Sequence, residues 1–252
     1  MPTRTGYPHG VPCWVDLSSP DVGASVDFYG ELFGWRAQFD PHPDAGGYGR
    51  FTSRGMLVAG IGPRFARGAA EWSLYVATGD AESVESRVKE AGGAVVIGPV
   101  QVFEEGVTAL FHDPAGAAFM VWQAGRHHGA RLVGEPWALC WAELRSPDPQ
   151  EARAFYPHVF GWASRGARGA EGVEWLVDGR AVAGMRPAGD ARAPAGWLSF
   201  FAVRDCDAAA DLASGRGGAV LAAPEDSPAG RRAVLADPQG AAFGVLAPLP
   251  AR

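Results

Sequence analysis

The chain has 252 residues and a formal net charge of −6, with 35 glycines, 20 prolines and nine tryptophans. The acidic charge, without a basic run or a basic helix face, argues against a nucleic acid or a membrane surface as a partner. No apolar run approaches the roughly 20 residues of a membrane-spanning helix, and the first residues lack the apolar core of a secretion signal. Three cysteines without a C-x-x-C motif are typical of reduced thiols, so we expect a cytoplasmic protein.

A stretch near the N-terminus is repeated in the second half of the chain. Residues 11–35 read VPCWVDLSSPDVGASVDFYGELFGW, and residues 139–162 read LCWAELRSPDPQEARAFYPHVFGW. The shared Cys-Trp, Phe-Tyr and Phe-Gly-Trp sequences all lie at one offset of 127 residues. A constant offset indicates a duplicated unit, since unrelated short motifs would not keep their spacing. We therefore expect two domains, residues 11–124 and 137–248, joined by a polar, glycine-rich linker over residues 125–136.

The predicted elements follow one order, which each half contains twice. A strand of alternating polarity spans Val11–Leu17, and a helix follows that is capped by Asp21 and ended by Gly34. Three short strands complete this βαβββ module. A second module of the same kind begins with a strand at Trp72.

The second half repeats both modules over residues 139–187 and 197–248. Its clearest departure is Pro157, which falls inside the predicted helix of the third module. Because proline removes a backbone donor and crowds the preceding turn, we expect a kink or an early helix end there. The pattern is compatible with modules that pair within a half or across the halves, and with a monomer or a homodimer.

A turn near the end of each half completes the pattern. Asp113-Pro114-Ala115-Gly116 recurs as Asp237-Pro238-Gln239-Gly240, with Asp, Pro and Gly at positions that a type I turn favours. Together with the Asp…Phe-Tyr…Gly-Trp helix, it makes the chain resemble the vicinal oxygen chelate superfamily of glyoxalases, bleomycin-resistance proteins and extradiol dioxygenases. More narrowly, the chain resembles a two-domain bacterial branch labelled glyoxalase-like or hydroxylase, which includes a mycobacterial 27-kDa antigen. The resemblance implies an α+β fold of tandem glyoxalase-like domains, whose four βαβββ modules form two cup-shaped mixed sheets.

The resemblance also implies a divalent metal in each cup, held by His from first strands and Glu from last strands. The matched positions are occupied by Trp14, Trp72, Met120, Trp141, Trp197 and Gly244. None of these side chains supplies the oxygen, imidazole or thiolate ligand that a divalent ion needs. The six histidines offer no alternative set, and His127 and His128 are expected to be solvated in the linker. We therefore expect no metal and no other cofactor, since nucleotide-binding glycine motifs are absent as well.

Tryptophans at ligand positions predict cups that bind a small, flat aromatic molecule, since indole offers a broad apolar face and one N–H donor. The predicted ligand-binding residues are Trp14, Trp72, Met120, Trp122, Trp141 and Trp197. Strand alternation places Asp16 beside Trp14 and Glu143 beside Trp141. Because a carboxyl group in a dry cup has a raised pKa, Asp16 and Glu143 are the catalytic candidates. The same alternation predicts that Cys13 and Cys140 face the helices instead.

Three functions remain open at this stage. The favoured one is a metal-independent protein of bacterial secondary metabolism that binds a small-molecule ligand, as a lyase, an isomerase or a hydroxylase-like enzyme. The second is a binding protein that sequesters a drug or antibiotic, which needs only stacking and an opening. The third is a structural or regulatory protein whose tryptophans simply fill the cups.

Overall fold

The computed structural model describes residues 3–64, 68–167, 172–189 and 196–249. The first half contains β1 (Pro12–Ser19), α1 (Val22–Phe33), β2 (Arg36–Phe39), β3 (Gly49–Ser53), β4 (Met56–Pro63), β5 (Glu71–Thr78), α2 (Ala81–Glu90), β6 (Ala94–Val102), β7 (Gly106–His112) and β8 (Ala118–Ala124). The second half contains β9 (Leu139–Ser146), α3 (Pro149–Phe160), β10 (Ala163–Gly166), β11 (Val173–Val177), β12 (Arg180–Pro187), β13 (Gly196–Ala202), α4 (Cys206–Gly215), β14 (Ala219–Ser227), β15 (Gly230–Ala236) and β16 (Ala242–Pro248). The order strand, helix, three strands therefore occurs four times.

Each half forms its own mixed sheet of eight strands. The strand order is β2-β3-β4-β1-β5-β8-β7-β6 in the first half and β10-β11-β12-β9-β13-β16-β15-β14 in the second. The first strands of two modules meet antiparallel at the centre, β1 with β5 and β9 with β13, and each is parallel to the last strand of its own module. Modules therefore pair within a half, and the predicted tandem α+β fold is confirmed.

Helix α1 begins and ends where the sequence predicts. Asp21 accepts a hydrogen bond from the backbone N–H of Ala24 at 3.0 Å, which satisfies one free donor of the first turn. Gly34 adopts φ 69°, a left-handed conformation that glycine takes without strain, and its N–H donates to Gly30. The residues between these caps bury Phe28 and Tyr29 on one side of the helix.

Helix α3 does not end early at Pro157. It has the same 12-residue length as α1 and continues to Phe160, where Gly161 caps it with φ 69°. The last turn is held by Val159 and Phe160, which are buried, and by the Gly161 N–H, which donates to the Pro157 carbonyl. Packing of that turn outweighs the one backbone donor that proline lacks.

Helices α1 and α3 each pack against the sheet of the other half, whereas α2 and α4 pack against the sheet of their own half. On α1, Tyr29 and Phe33 lie with ring centroids 5.6 and 6.0 Å from Phe243 on β16. On α3, Phe155 and Phe160 lie 5.9 and 5.8 Å from Phe119 on β8. The aromatic rings therefore build one core shared by both halves, and neither half completes its core alone.

Two reciprocal hydrogen-bond chains cross this core. Tyr29 donates to Asp237 at 3.2 Å, and Tyr156 donates to Asp113 at 3.0 Å. Each tyrosine hydroxyl also accepts an indole N–H, at 2.9 Å from Trp72 and at 2.8 Å from Trp197. The aspartates of the two repeated turns are thus each bound to a helix of the opposite half. Among the described residues, no helix is long and apolar enough to cross a membrane.

These contacts correct the placement of two tryptophans that the sequence assigned to ligand binding. Trp72 pairs with Leu17 across β1 and β5, on the core face of the sheet, and Trp197 pairs with Leu144 in the same way. Both indoles pack into the shared core and line neither of the cavities described below. The tryptophans near the start of β5 and β13 therefore face the core and not the cavities.

Candidate functional site

Each half has a cavity on the face of its sheet opposite to the shared core. The first cavity has a volume of about 340 Å³ and lies against β1, β3, β5, β7 and β8. The second has a volume of about 280 Å³ and lies against β9, β11, β12, β13, β15 and β16. Cavities of roughly 300–1,000 Å³ are usual for small-molecule sites, so the first one has the size of a ligand site.

The predicted site residues divide between these cavities. Trp14, Asp16 and Trp122 line the first cavity, and Met120 packs beside Trp14 in the small apolar cluster beneath it. Trp141 and Glu143 line the second cavity, by contrast. The two candidate carboxylates consequently lie in separate sites and do not form a catalytic pair.

Asp16 in the first cavity is bound by three uncharged donors. The indole N–H of Trp14 donates to Oδ1 at 2.6 Å, and the hydroxyl of Tyr48 donates to the same oxygen at 2.9 Å. The hydroxyl of Tyr75 donates to Oδ2 at 2.8 Å. Burial raises the pKa of Asp16, and these three hydrogen bonds oppose the shift without cancelling it. Asp16 is therefore a carboxyl group that can hold or release a proton nearer to neutral pH than an exposed one.

His127 completes the wall of the first cavity, although the sequence predicts a solvated side chain. It is only 8% exposed, with its ring 4.5 Å from that of Trp14 and 5.6 Å from that of Trp122. Its carbonyl accepts the indole N–H of Trp122 at 2.7 Å. Burial, and then the positive charge of Arg50, lowers the pKa of His127 to about 4, so the imidazole is neutral at physiological pH.

The segment between the halves is held against the first half by backbone hydrogen bonds. Ala130 donates its N–H to the carbonyl of Cys13 at 2.8 Å, and Arg131 donates to the carbonyl of Leu57 at 2.8 Å. The predicted linker thus forms part of the first site. Its polar, glycine-rich composition gives no indication of this role.

The mouth of the first cavity carries charged side chains and one exposed ring. Arg50 donates to Glu105 at 2.7 Å, and Asp40 and Asp44 line the same opening from the loop between β2 and β3. Phe103 lies beside them and is 55% exposed. The opening is thus acidic, while the floor is aromatic.

Glu143 in the second cavity is bound by cations instead. Both of its oxygens accept hydrogen bonds from the guanidinium of Arg232, at 2.8 and 2.9 Å, and Arg186 lies 3.3 Å away. Arg232 also lies over the ring of Phe200, 4.7 Å from its centroid. Both oxygens of Glu143 are engaged by this bidentate ion pair, so Glu143 is suited to positioning a ligand.

Cys13 and Cys140 lie on the cavity side, which corrects the predicted orientation. The pairing of β1 with β5 jumps from Pro12 to Trp14, and that of β9 with β13 jumps from Leu139 to Trp141. Each cysteine is the extra residue of a β-bulge, and a bulge breaks the alternation on which the prediction rests. All three cysteines of the chain are free thiols.

A divalent metal does not fit the residues that surround either cavity. No group of three or more His, Cys, Asp and Glu side chains converges anywhere in the described ranges of the chain. Both oxygens of Asp16 are already occupied by N–H and O–H donors. At Gly244, where relatives would place a glutamate, any side chain would overlap the ring of Phe200. The donor set of a vicinal oxygen chelate site is therefore not formed.

Sequence reasoning missed Tyr48, Tyr75, His127 and Arg232. Tyr75 was missed together with the misplacement of Trp72, because a Trp72 on the cavity face puts Tyr75 on the core face, and the observed register reverses both. Tyr48, His127 and Arg232 reach the cavities from a loop, the linker and a distant strand. No local pattern signals such contacts.

Comparison with known proteins identifies the family. The sequence profile of the Glyoxalase/Bleomycin resistance protein/Dioxygenase superfamily matches residues 138–245, and that of the Glyoxalase-like domain matches residues 14–122. The chain belongs to this superfamily. The anthracycline biosynthesis protein DnrV of Streptomyces peucetius is 42% identical over 260 residues, which cover 96% of this chain and 94% of the relative. A protein called CFP32 from Mycobacterium tuberculosis is 41% identical and covers 99% of both chains.

Solved structures agree with this fold assignment. The Mn(II)-bound glyoxalase from Novosphingobium aromaticivorans superposes with a TM-score of 0.65 over 94% of this chain and 81% of that one. Only 17% of the aligned residues are identical. At this level of identity the similarity concerns the arrangement of the strands and helices, while the chemistry of the sites has to be derived from the residues themselves.

Proposed function

We propose that the protein binds a planar aromatic metabolite in its first cavity and uses Asp16 as a metal-independent acid or base. The observation that supports this most directly is the bonding of Asp16 by Trp14, Tyr48 and Tyr75, three groups without charge. Such donors stabilise a carboxylate less than a cation does, so the proton affinity of Asp16 stays raised. A carboxyl group of this kind suits proton transfer near neutral pH.

The walls of the first cavity support an aromatic ligand. Trp14, Tyr75 and Trp122 present rings on its inner surface, and a flat ligand between such rings gains both apolar burial and ring–ring contact. DnrV, which is 42% identical over nearly the whole chain, is named for anthracycline biosynthesis. Because anthracyclines contain fused aromatic rings, that relative supports the same class of ligand for this protein.

The reaction that fits this site is a proton transfer within the ligand, as in an isomerase. Asp16 in its charged form would accept a proton from a carbon next to a carbonyl group of the ligand. The hydroxyls of Tyr48 and Tyr75 would fix the orientation of the carboxylate throughout. Asp16 would then return the proton to another atom of the same ligand, so that no further reactant is consumed.

Sequestration of an aromatic compound is the second candidate, and the second cavity favours it. There Glu143 is paired with Arg232 and lies beside Trp141. A carboxylate neutralised in this way contributes recognition without proton transfer. The protein would then bind a ligand in the second cavity without changing it.

A titration with a simple anthraquinone tests the proposal. We expect saturable binding by calorimetry, with quenching of tryptophan fluorescence. We also expect Trp14→Phe and Trp122→Phe to weaken binding about tenfold, since each leaves a smaller ring face and removes an anchoring N–H. Trp72→Phe, in the core, is the matched control and should leave affinity unchanged once folding is verified. Absence of saturable binding in the wild type would refute the proposal.

Turnover is tested separately from affinity. Once a ligand with an exchangeable C–H next to a carbonyl is bound, Asp16→Asn should abolish hydrogen–deuterium exchange at that carbon and leave affinity within about twofold. Glu143→Gln should leave exchange intact. Exchange that persists in Asp16→Asn would leave a binding protein as the better description.

A further inference from the structure

The two cavities differ in the charge of their linings. The first is lined by four carboxylates and one guanidinium, which belong to Asp16, Asp40, Asp44, Glu105 and Arg50. The second is lined by two carboxylates and two guanidiniums, which belong to Glu143, Glu174, Arg186 and Arg232. The first cavity is thus acidic and the second is balanced, although the two halves share one fold.

The single guanidinium of the first cavity is already engaged. Arg50 donates to Glu105 at 2.7 Å, and both side chains are about one-third exposed, at 33% and 29%. Asp40 and Asp44 therefore remain without an arginine or lysine partner among the described residues. Within the described ranges, the one ion-pair contact of Asp44 is with Nδ1 of His42, at 3.7 Å. Carboxylates grouped at the opening of an apolar cleft attract a cation, because the low-dielectric walls focus their field.

His127 lines the same cavity and provides an observation that is independent of the carboxylates. Its Nε2 is buried and has no hydrogen-bond partner within the described part of the chain. Buried polar atoms are rarely left unpaired in folded proteins. The neutral imidazole offers a lone pair to an N–H or O–H donor, and it adds no positive charge that would repel a cation.

We propose that the first cavity selects aromatic ligands that carry a protonated amino group. The ring system lies among Trp14, Tyr75 and Trp122, and the ammonium group points toward Asp40 and Asp44 at the opening. An ammonium group also interacts favourably with the face of an aromatic ring, which the exposed Phe103 supplies at the same opening. This selectivity rests on the proposed binding of an aromatic ligand and adds a charge requirement to it.

Two probes of matched shape test the charge requirement. One is an anthraquinone with a dimethylaminoethylamino chain, and the other is the same anthraquinone with an isopentylamino chain, in which a carbon replaces the basic nitrogen. We expect the amine to bind the wild-type protein about 5- to 10-fold more tightly, a range set by screened charge pairs near a protein surface. Raising the salt concentration should reduce this ratio.

The double variant Asp40→Asn/Asp44→Asn locates the effect. Asparagine keeps the shape of each side chain and the acceptor that Asp40 offers to the N–H of His42 at 2.9 Å. We expect the affinity ratio to fall toward unity in this variant, with the neutral probe unaffected. The matched control is Asp27→Asn/Glu82→Gln, which changes net charge equally on the exposed surfaces of α1 and α2 and should preserve the ratio.

The outcomes separate this inference from the function on which it rests. Equal affinity of both probes for the wild type, or an unchanged ratio in Asp40→Asn/Asp44→Asn, overturns the charge requirement and leaves aromatic binding intact. A ratio that falls equally in the control variant shows an effect of overall charge and also overturns it. If neither probe binds saturably, the proposed function itself fails.

Discussion

Asp16 faces Gly60 across the parallel pairing of β1 with β4, and a methyl group on Gly60 would overlap the carboxylate of Asp16. The same methyl group would overlap the hydroxyl of Tyr48. Glycine at this position is therefore what allows the carboxylate and its hydroxyl donor to meet on one face of the sheet. The equivalent residue of the second half, Gly184, lies opposite Glu143, where a methyl group would come within 2.9 Å of Trp141.

Gly60→Ala is expected to displace the Asp16 carboxylate and to weaken binding of an aromatic probe in the first cavity by about tenfold or more. Overpacking of this kind costs about 1–3 kcal/mol of folding free energy, so the variant should still fold. Calorimetric titration and urea unfolding measure the two effects. Gly184→Ala is the control, since it crowds Trp141 in the other cavity. An unchanged probe affinity in Gly60→Ala would show that Asp16 and its donors do not shape the site.

The raised pKa of Asp16 makes the stability of the protein depend on pH. An unfolded aspartate titrates near its ordinary value of about 3.9, whereas burial raises the pKa in the folded state. Below the pKa that Asp16 has in the unfolded chain, the carboxyl group is protonated in both the folded and the unfolded state. As the pH rises through the higher pKa of the folded state, the wild type loses stability. Relative to Asp16→Asn, the wild type should therefore become progressively less stable as the pH rises above about 4, the ordinary value for an aspartate.

Urea unfolding at several pH values measures this trend. Asp27→Asn, which alters an exposed carboxylate on α1, should give a curve parallel to that of the wild type. A difference between wild type and Asp16→Asn that stays constant with pH would contradict the prediction.

Removal of Arg232 should destabilise the second half strongly. The Arg232→Met variant leaves the buried Glu143 with Arg186 as its remaining cationic neighbour among the described residues, and breaking a buried ion pair on one side costs about 3–5 kcal/mol. The double variant Glu143→Met/Arg232→Met removes both charges and should recover most of that loss. Arg231→Met, which breaks an exposed pair with Asp207, should change stability little. If the double variant loses as much stability as the two single substitutions together, Glu143 and Arg232 are not energetically coupled and the prediction is contradicted.

The hydroxyls of Tyr29 and Tyr156 should stabilise the contact between the halves. Tyr29→Phe removes a donor to Asp237 and an acceptor for Trp72 at once, so we expect a loss of about 1–3 kcal/mol in urea unfolding. Tyr156→Phe should cost a similar amount, because its contacts are equivalent. Tyr7→Phe, which loses only the bond to the Ala130 carbonyl, should cost less. Unchanged stability in both core variants would show that these bonds exchange freely with water.

The fold could be predicted because its signals are local and occur twice. The capping by Asp21 and Gly34 lies within a few residues of the helix it delimits, and the repeat doubles the evidence. Trp72 was misplaced because position at the start of a strand does not decide which face a side chain occupies. The register between β1 and β5 decides it, and that register places Trp72 beside Leu17.

The first cavity was predictable only in part. Trp14 and Asp16 lie two residues apart on one strand, so alternation alone brings them together. His127 reaches the same cavity because the segment after β8 turns back against Cys13 and Trp122. That return depends on backbone hydrogen bonds between residues far apart in the chain, which no composition or periodicity encodes.

The reciprocal contacts of Tyr29 and Tyr156 with the opposite halves bear on how such a chain arises. Each helix satisfies an aspartate that belongs to the other copy, so a polypeptide of half the length would have its best partner in a second identical polypeptide. The present chain thus has the arrangement that covalent linkage of two copies of a self-pairing unit would give. A single covalent chain lets the two copies differ, and here the first cavity is acidic at its opening while the charges that line the second are balanced.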